Sequence, residues 1–253
     1  MRTPEEAVSI ILERATAARE REAVPLSEAA GRVLAREVLS DIDLPPFEKS
    51  AMDGYAVRSA EVSGESRLRR IGESRAGEPW TGPVGPGECV AIYTGGELPP
   101  DCDAVVMVEK SRRDGDHVVL TDDPEAGQHV CHRGEDIRAG ECVLAPGRRL
   151  AARDLSLLAS VGCDPVQVWR RPRVSILTTG DELVKPSEKP GPGQIREGNT
   201  LHLAAMVRAA GAEVRVCGVV PDDPLSLREA FAEALEKGDV LISTGGVSMG
   251  EYD

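Results

Sequence analysis

Three apolar runs in the second half of the chain each stop abruptly at a polar or glycine-rich turn, and this repetition constrains the fold more than any other feature. Arg173 to Thr178 breaks into Thr179-Gly180-Asp181-Glu182. Glu213–Val220 ends in Pro221-Asp222-Asp223, and Asp239–Ser243 ends in Thr244-Gly245-Gly246-Val247-Ser248. Two helical patterns, at about Thr200–Ala210 and Leu225–Lys237, lie between them. Short apolar runs bounded by turn signals suit parallel strands buried on both faces. Alternating with helices, they predict a three-layer parallel α/β domain with right-handed crossovers. Ligands of such sheets sit outside the carboxyl ends of the strands. The three turns therefore mark the candidate site, and the first and third should face one crevice.

Charge narrows the partners. The 253 residues carry a net charge of −13, which disfavours nucleic acid, because phosphate neutralisation needs a basic surface. A small phosphorylated ligand stays compatible with acidic residues if Mg²⁺ bridges the two sets of oxygens. No run reaches the roughly 18 apolar residues of a membrane span. The acidic start, MRTPEEAVSIILERA, does not read as a secretory signal, so a cytoplasmic protein is expected. The six cysteines form no C-x-x-C pair and are expected to be reduced. His129-Val130-Cys131-His132 lacks a second ligand cluster and reads as a polar strand or loop rather than a zinc site.

Upstream, Thr3-Pro4-Glu5-Glu6 has the form of a capping box opening a helix, with Val8, Ile11, Leu12 and Ala15 as its apolar stripe. A second helix is expected from about Ser27, with Ala30, Val33 and Leu34 inward. In DIDLPPFEKSAMDGYAV, Asp53 stands beside a glycine and an aromatic, and reads first as a turn former. Ser66 to Val143 is rich in glycine and proline with short β-like runs, and predicts a small β domain. Arg113-Asp114-Gly115-Asp116 is a hairpin turn signal within it. Tyr93-Thr94-Gly95-Gly96 and Arg133-Gly134-Glu135-Asp136 are loops that either turn the chain or approach a ligand. Ala151–Val161 predicts a returning helix. In the long loop Val184–Asn199, Asn199 is placed to cap the next helix, and Arg196 with that helix start forms an anion corner.

The motifs PPFEKSAMDGYAV, YTGG, RGEDI, LTTGDEL, GQIREGN and TGGVSMGEYD occur in this order. Together they resemble the molybdopterin molybdenumtransferase family, enzymes that complete molybdenum cofactor and include the C-terminal part of gephyrin. The resemblance implies a multidomain α/β plus β fold. Residues 1–42 and 139–168 would form a discontinuous helical linker domain, 43–138 a β-rich domain, and 169–253 an α/β molybdopterin-binding domain that is incomplete at its C-terminal end, since relatives continue past Asp253. It implies Mg²⁺-dependent insertion of molybdate into adenylylated molybdopterin, with release of AMP. By motif, Asp53, Thr94, Asp136, Glu182, Asp222 and Asp253 would be catalytic, and Glu182, Asp222 and Asp253 would hold the metal. Thr179, Gly180, Asp181, Arg196, Asn199, Gly245, Gly246 and Ser248 would bind the ligand. The family's elongated homodimers imply a cleft between one subunit's α/β domain and the other's β domain. The competing readings are a molybdopterin adenylyltransferase-like enzyme and an inactive binding or scaffold fragment. The first 150 or so residues speak against the former, because that enzyme is the α/β domain alone.

Overall fold

The computed structural model describes residues 2–16 and 20–245. Its contacts gather into two units: Met1–Arg36, Pro146–Ser156 and Asp164–Asp253 in one, Glu37–Ala145 and Leu157–Cys163 in the other.

In the first unit, the three predicted strands form one parallel sheet. Arg173–Thr179 lies in the middle, with Glu213–Val220 on one side and Val240–Thr244 on the other. Side-chain alternation along the central strand sets up the layers. Val174 and Ile176 pack on Ala204 and Val207 of helix α3 (Asn199–Ala209). Ser175, between them, faces the other way and donates its hydroxyl to Ala234 O of helix α4 (Pro224–Lys237) at 2.9 Å. The helices therefore cover opposite faces, as right-handed crossovers to strands on either side of the middle one require. Thr178 pairs with Thr244, so the 179–182 turn and Gly245 leave the sheet at the same edge, as expected.

The opposite edge is fastened by Asp239. Its carboxylate accepts two hydrogen bonds from Arg170, at 2.9 and 3.1 Å, and the Arg173 N–H at 2.7 Å. Its own N–H reaches Arg173 O at 2.8 Å. This clamp takes up Asp239 before the ladder starts, which moves the third strand one residue later than its apolar run suggests.

Helix α1 (Pro4–Arg14) has the predicted capping box: Thr3 Oγ1 accepts from the Glu6 N–H at 3.2 Å, and Glu6 Oε2 from the Thr3 N–H at 2.9 Å. Its apolar stripe is not covered by the described residues, Leu12 being 70% exposed. The second helix expected from Ser27 does not form. Only a single turn, Leu26–Glu28, is helical. Gly31 then takes φ +74°, and the chain runs into bridges Val33↔Arg149 and Leu34↔Val168. Leu34 is buried as expected, but through strand pairing, and Ala30 is exposed. Arg21–Val24 pairs antiparallel with Val166–Trp169. Helix α2 (Ala152–Ser160) begins where Asp154 accepts the Ala151 N–H and pairs with Arg148.

The second unit is built on a six-stranded sheet. The order is Ala104–Met107, Gly54–Val57, Glu88–Ile92, Glu65–Ser74, His117–Thr121, Ser111–Asp114. All neighbours are antiparallel except Glu65–Ser74 with Glu88–Ile92. Tyr55, Val57, Cys89, Ala91, Ala104 and Val106 fill one face, and Ala56, Val90, Ile92 and Val105 the other. Burial on both faces explains why these strands read as unbroken apolar runs. Gly115, at φ +62°, turns the predicted hairpin. Burial pushes the Cys89 and Cys102 thiols up to about 12, which keeps them protonated and unreactive.

The Arg170 and Arg173 contacts hold Asp239 well below the usual carboxylate range. A depressed folded value gives stability that is present above the unfolded value near 4 and lost as pH falls through the folded one. Asp239→Asn should cost about 1–2 kcal/mol at pH 7, the worth of such bonds discounted for partial exposure. Urea denaturation at pH 7 and pH 3 checks this: the gap between wild type and variant should shrink at the lower pH.

Candidate active site

Two clusters of predicted site residues emerge, one in each unit. In the α/β unit, the cluster is built on the strand ends. Gly180 adopts φ +143°, a backbone conformation that other residues rarely take, which accounts for glycine at this turn. Gly245 has φ +96°, and a Cβ would lie 2.3 Å from Thr179 Oγ1. Thr179 donates weakly to Thr244 O at 3.4 Å, which ties the first turn to the third. Asp181 Oδ1 accepts from the Asp222 N–H at 3.4 Å, which brings in the second. Asp181, Glu182 and Asp222 are all exposed at this edge. Of the adjacent aspartates, Asp223 is used structurally: its Oδ1 accepts the Leu225 and Ser226 N–H groups and caps α4. Asp222 is left facing solvent.

The start of helix α3 differs from its expected capping. Asn199 is the first helical residue, and Gly198 occupies the cap position without a side-chain bond. The capping carboxylate is Glu197, buried, whose Oε1 accepts the Thr200 N–H at 2.7 Å. Glutamate reaches the N–H that asparagine, already inside the helix, cannot. Thr200 Oγ1 in turn meets Thr178 Oγ1 at 2.8 Å, and Thr244 Oγ1 meets Thr178 Oγ1 at 3.1 Å. A chain of hydroxyls thus pins the helix start to two strand ends. Arg196 is exposed, with Nε on Glu188 O at 2.9 Å, so it braces its own loop.

In the β unit, Asp53 Oδ1 accepts both the N–H and the hydroxyl of Thr94, at 2.7 and 2.8 Å. These two bonds, the N–H first, hold Asp53 below the usual carboxylate value. The Tyr93–Gly96 loop is a tight turn, Gly96 N–H to Tyr93 O at 2.8 Å, with Gly95 at φ +82°. Gly54 opens its strand so close to the neighbouring backbone that a Cβ would sit 2.0 Å from Val106 O. The D-G pair of the motif is thereby explained: glycine allows the strand contact, and the aspartate beside it reaches across to Thr94. The turn-former reading of Asp53 gives way to a cross-loop acceptor.

Asp136 is exposed on the Arg133–Asp136 loop, which is anchored by the Asp136 N–H to Leu44 O at 3.0 Å and by Arg133 to Asp43 at 2.6 Å. Among the described residues no hydrogen bond joins Asp136 to the Asp53–Thr94 pair. Asp43, which also accepts the Ala139 N–H at 2.9 Å, was not singled out by sequence although it lies in the Asp41–Val57 stretch. Glu197 and the Thr178–Thr200–Thr244 chain were also missed, because lone hydroxyls and a loop glutamate carry no spacing signal. Gly246, Ser248 and Asp253 lie outside the described residues. Among the described residues no three His, Cys, Asp or Glu side chains group closely enough to hold a metal. The metal set of Glu182, Asp222 and Asp253 therefore turns on Asp253.

A parallel α/β layer presenting carboxylates and glycine turns at one sheet edge, together with a β unit carrying its own acidic loops, places the chain in the class of multidomain α/β plus β proteins. The comparisons are specific. Residues 2–162 match the model for the MoeA N-terminal region (domain I and II), and residues 175–253 that for a probable molybdopterin binding domain. The chain belongs to the MoeA family. It is 40% identical over 237 residues to a molybdopterin molybdenumtransferase of Nostoc sp., covering 92% of this chain and 54% of that protein. With the Haemophilus influenzae molybdopterin molybdenumtransferase it shares 35% identity, over 100% of this chain and 63% of the relative. The chain thus spans between about half and two thirds of these relatives' length. A crystal structure titled molybdopterin biosynthesis moeA protein, from Pyrococcus horikoshii, superposes with a TM-score of 0.87 at 33% identity, covering 96% of this chain and 66% of that one.

Gly54→Ala should destabilise the chain by about 3 kcal/mol, since the clash is with backbone that cannot move aside. Thermal unfolding measures that loss. Asp53→Asn should fold, but should lose the part of the wild-type stability that fades as pH drops below about 4. Parallel urea curves from pH 3 to 7 would show the two proteins converging at the acid end.

Proposed function

We propose that this chain is part of a molybdopterin molybdenumtransferase, which inserts molybdate into adenylylated molybdopterin and releases AMP. The observation that carries the reading is the shared sheet edge, where Thr179, Gly180, Asp181, Glu182, Asp222 and Gly245 meet, within a chain whose relatives bear that name. The donor set at this edge is oxygen, the set Mg²⁺ prefers, and its carboxylates are exposed. Glu182 and Asp222, with Asp253, would hold Mg²⁺. Bound there, the ion would polarise the phosphoanhydride and offset charge on the departing AMP.

The chain's own groups have separable tasks. Gly180 and Gly245, by lacking side chains, leave the strand ends open to close approach of a ligand. The start of α3 is held by the Glu197 carboxylate on the Thr200 N–H and by the threonine hydroxyls, so the chain itself fixes that helix end beside the strand ends. Thr94 donates its hydroxyl hydrogen bond to Asp53, which leaves its oxygen free to accept one from a ligand. Asp53 stays ionised at neutral pH and keeps that bond. The three-part division into linker, β-rich and α/β domains, a cytoplasmic location and a homodimer belong to the same proposal. In that dimer Asp53 and Asp136 of one chain would serve a site with Glu182 and Asp222 of the partner. No helix among the described residues is long and apolar enough to cross a membrane.

The direct test uses the longer protein and adenylylated molybdopterin. AMP should appear only with molybdate and Mg²⁺ together, and Glu182→Gln should retain its unfolding temperature while losing at least about a hundredfold in turnover. Full activity in that variant would make Glu182 a plain turn residue. Mixing inactive Asp53→Ala and Glu182→Ala proteins should restore activity through heterodimers, whereas no recovery after proven subunit exchange would assign each site to one chain.

A further inference from the structure

A cavity lies at the end of the sheet away from the proposed reaction. Its volume is about 600 Å³, and its walls are mostly apolar. Pro172, directly before the central strand, and Val240, the first residue of the third, line it. It therefore sits at the amino-terminal sheet edge, roughly 20 Å along a seven-residue strand from the candidate active site. Its size falls within the range of small-molecule sites.

The polar groups of the lining are unusual for a chain of net charge −13. Arg32, Arg149, Arg170 and Arg171 all border the cavity, and among the described residues no acidic one does. Two of the four are already neutralised. Arg32, only 8% exposed, pairs with Glu22 and donates to Trp169 O at 3.0 Å, and Arg170 pairs with Asp239 and Glu20. Arg149 donates only to a carbonyl, Gly31 O at 3.3 Å, and neither it nor Arg171 has a carboxylate partner among the described residues. Trp169 supplies an aromatic wall, and Arg21 lies 5.0 Å from its ring centroid, which fixes the ring. Gly211, just past the end of α3, closes another side. Arg149 Nη2 lies 3.3 Å from where a Gly211 Cβ would stand, so its charge offsets the carbonyl end of that helix, and Pro172 and Val240 leave room for an apolar body.

We propose that this cavity is a binding site for a small monoanion with a flat apolar body, an aromatic carboxylate or sulfonate in chemical class. Arg149 and Arg171 receive the anion, and Trp169 flanks the body. The site is independent of the reaction proposed above.

The chain's two tryptophans are Trp80 and Trp169, so Trp80→Phe leaves Trp169 as the only indole reporter. Naphthalene-2-sulfonate should quench it saturably, and calorimetry on the unsubstituted chain should give one site. The neutral naphthalene-2-sulfonamide should bind at least tenfold more weakly. The Arg149→Gln/Arg171→Gln double variant should bind the sulfonate at least tenfold more weakly at an unchanged unfolding temperature, while Glu182→Gln should bind it as wild type does. Equal binding of the two probes, unchanged affinity in the double variant, loss of binding in Glu182→Gln, or no saturable binding would each overturn the proposal.

Discussion

Parallel pairing leaves the three strands of the α/β layer no freedom in where they end. The two crossovers that join them must start from the same edge, and the third strand ends there too. The turns after Thr179, Val220 and Thr244 are therefore brought together by backbone direction, before any side chain contributes. Side chains then refine the assembly. Thr178, Thr200 and Thr244 share a hydroxyl chain across two strand ends and a helix start, and buried Glu197 satisfies the N–H there that water cannot reach. The far edge has the opposite character. Asp239 gathers two arginines and a backbone N–H into one knot, so one end of the sheet is locked by charge while the other is left open.

The β unit solves a similar placement problem with antiparallel strands. Both faces of its six-stranded sheet are buried, so its polar loops have to project from the strand ends. Glycine decides where they can come close. Gly54 permits a backbone approach that alanine could not share, and Asp53 is thereby held within reach of Thr94. The charge of Asp53 and the geometry of Gly54 thus depend on one another. Either change alone would loosen the same loop.

The sequence made the parallel layer legible because strand direction and turn chemistry are both written locally. The Glu213–Val220 strand and α1's capping box fell where apolar runs and cap residues put them. What misled was burial by long-range pairing. Ala30, Val33 and Leu34 have helical spacing, yet the last two bridge to Arg149 and Val168, residues no local pattern connects to them. Asn199 has the right chemistry for a cap and stands one residue too late, because the helix begins at the asparagine itself. The Asp53–Thr94 contact was not foreseen, although the resemblance names both residues for the site: two residues 41 positions apart give no periodic signal, and only the fold supplies the distance.

The strand Arg21–Val24 pairs with Val166–Trp169, and Arg32 touches Trp169 across 137 positions of chain. Nearly the whole β unit is encoded between these partners. On a ribosome emitting the chain from its amino end, the first strand must wait, unpaired, while that unit emerges and folds. Closing so long a loop is slow for a disordered connector and much easier once the intervening chain is compact. Until Val166–Trp169 emerges, Arg21–Val24 is an unprotected strand edge, open to capture by another chain.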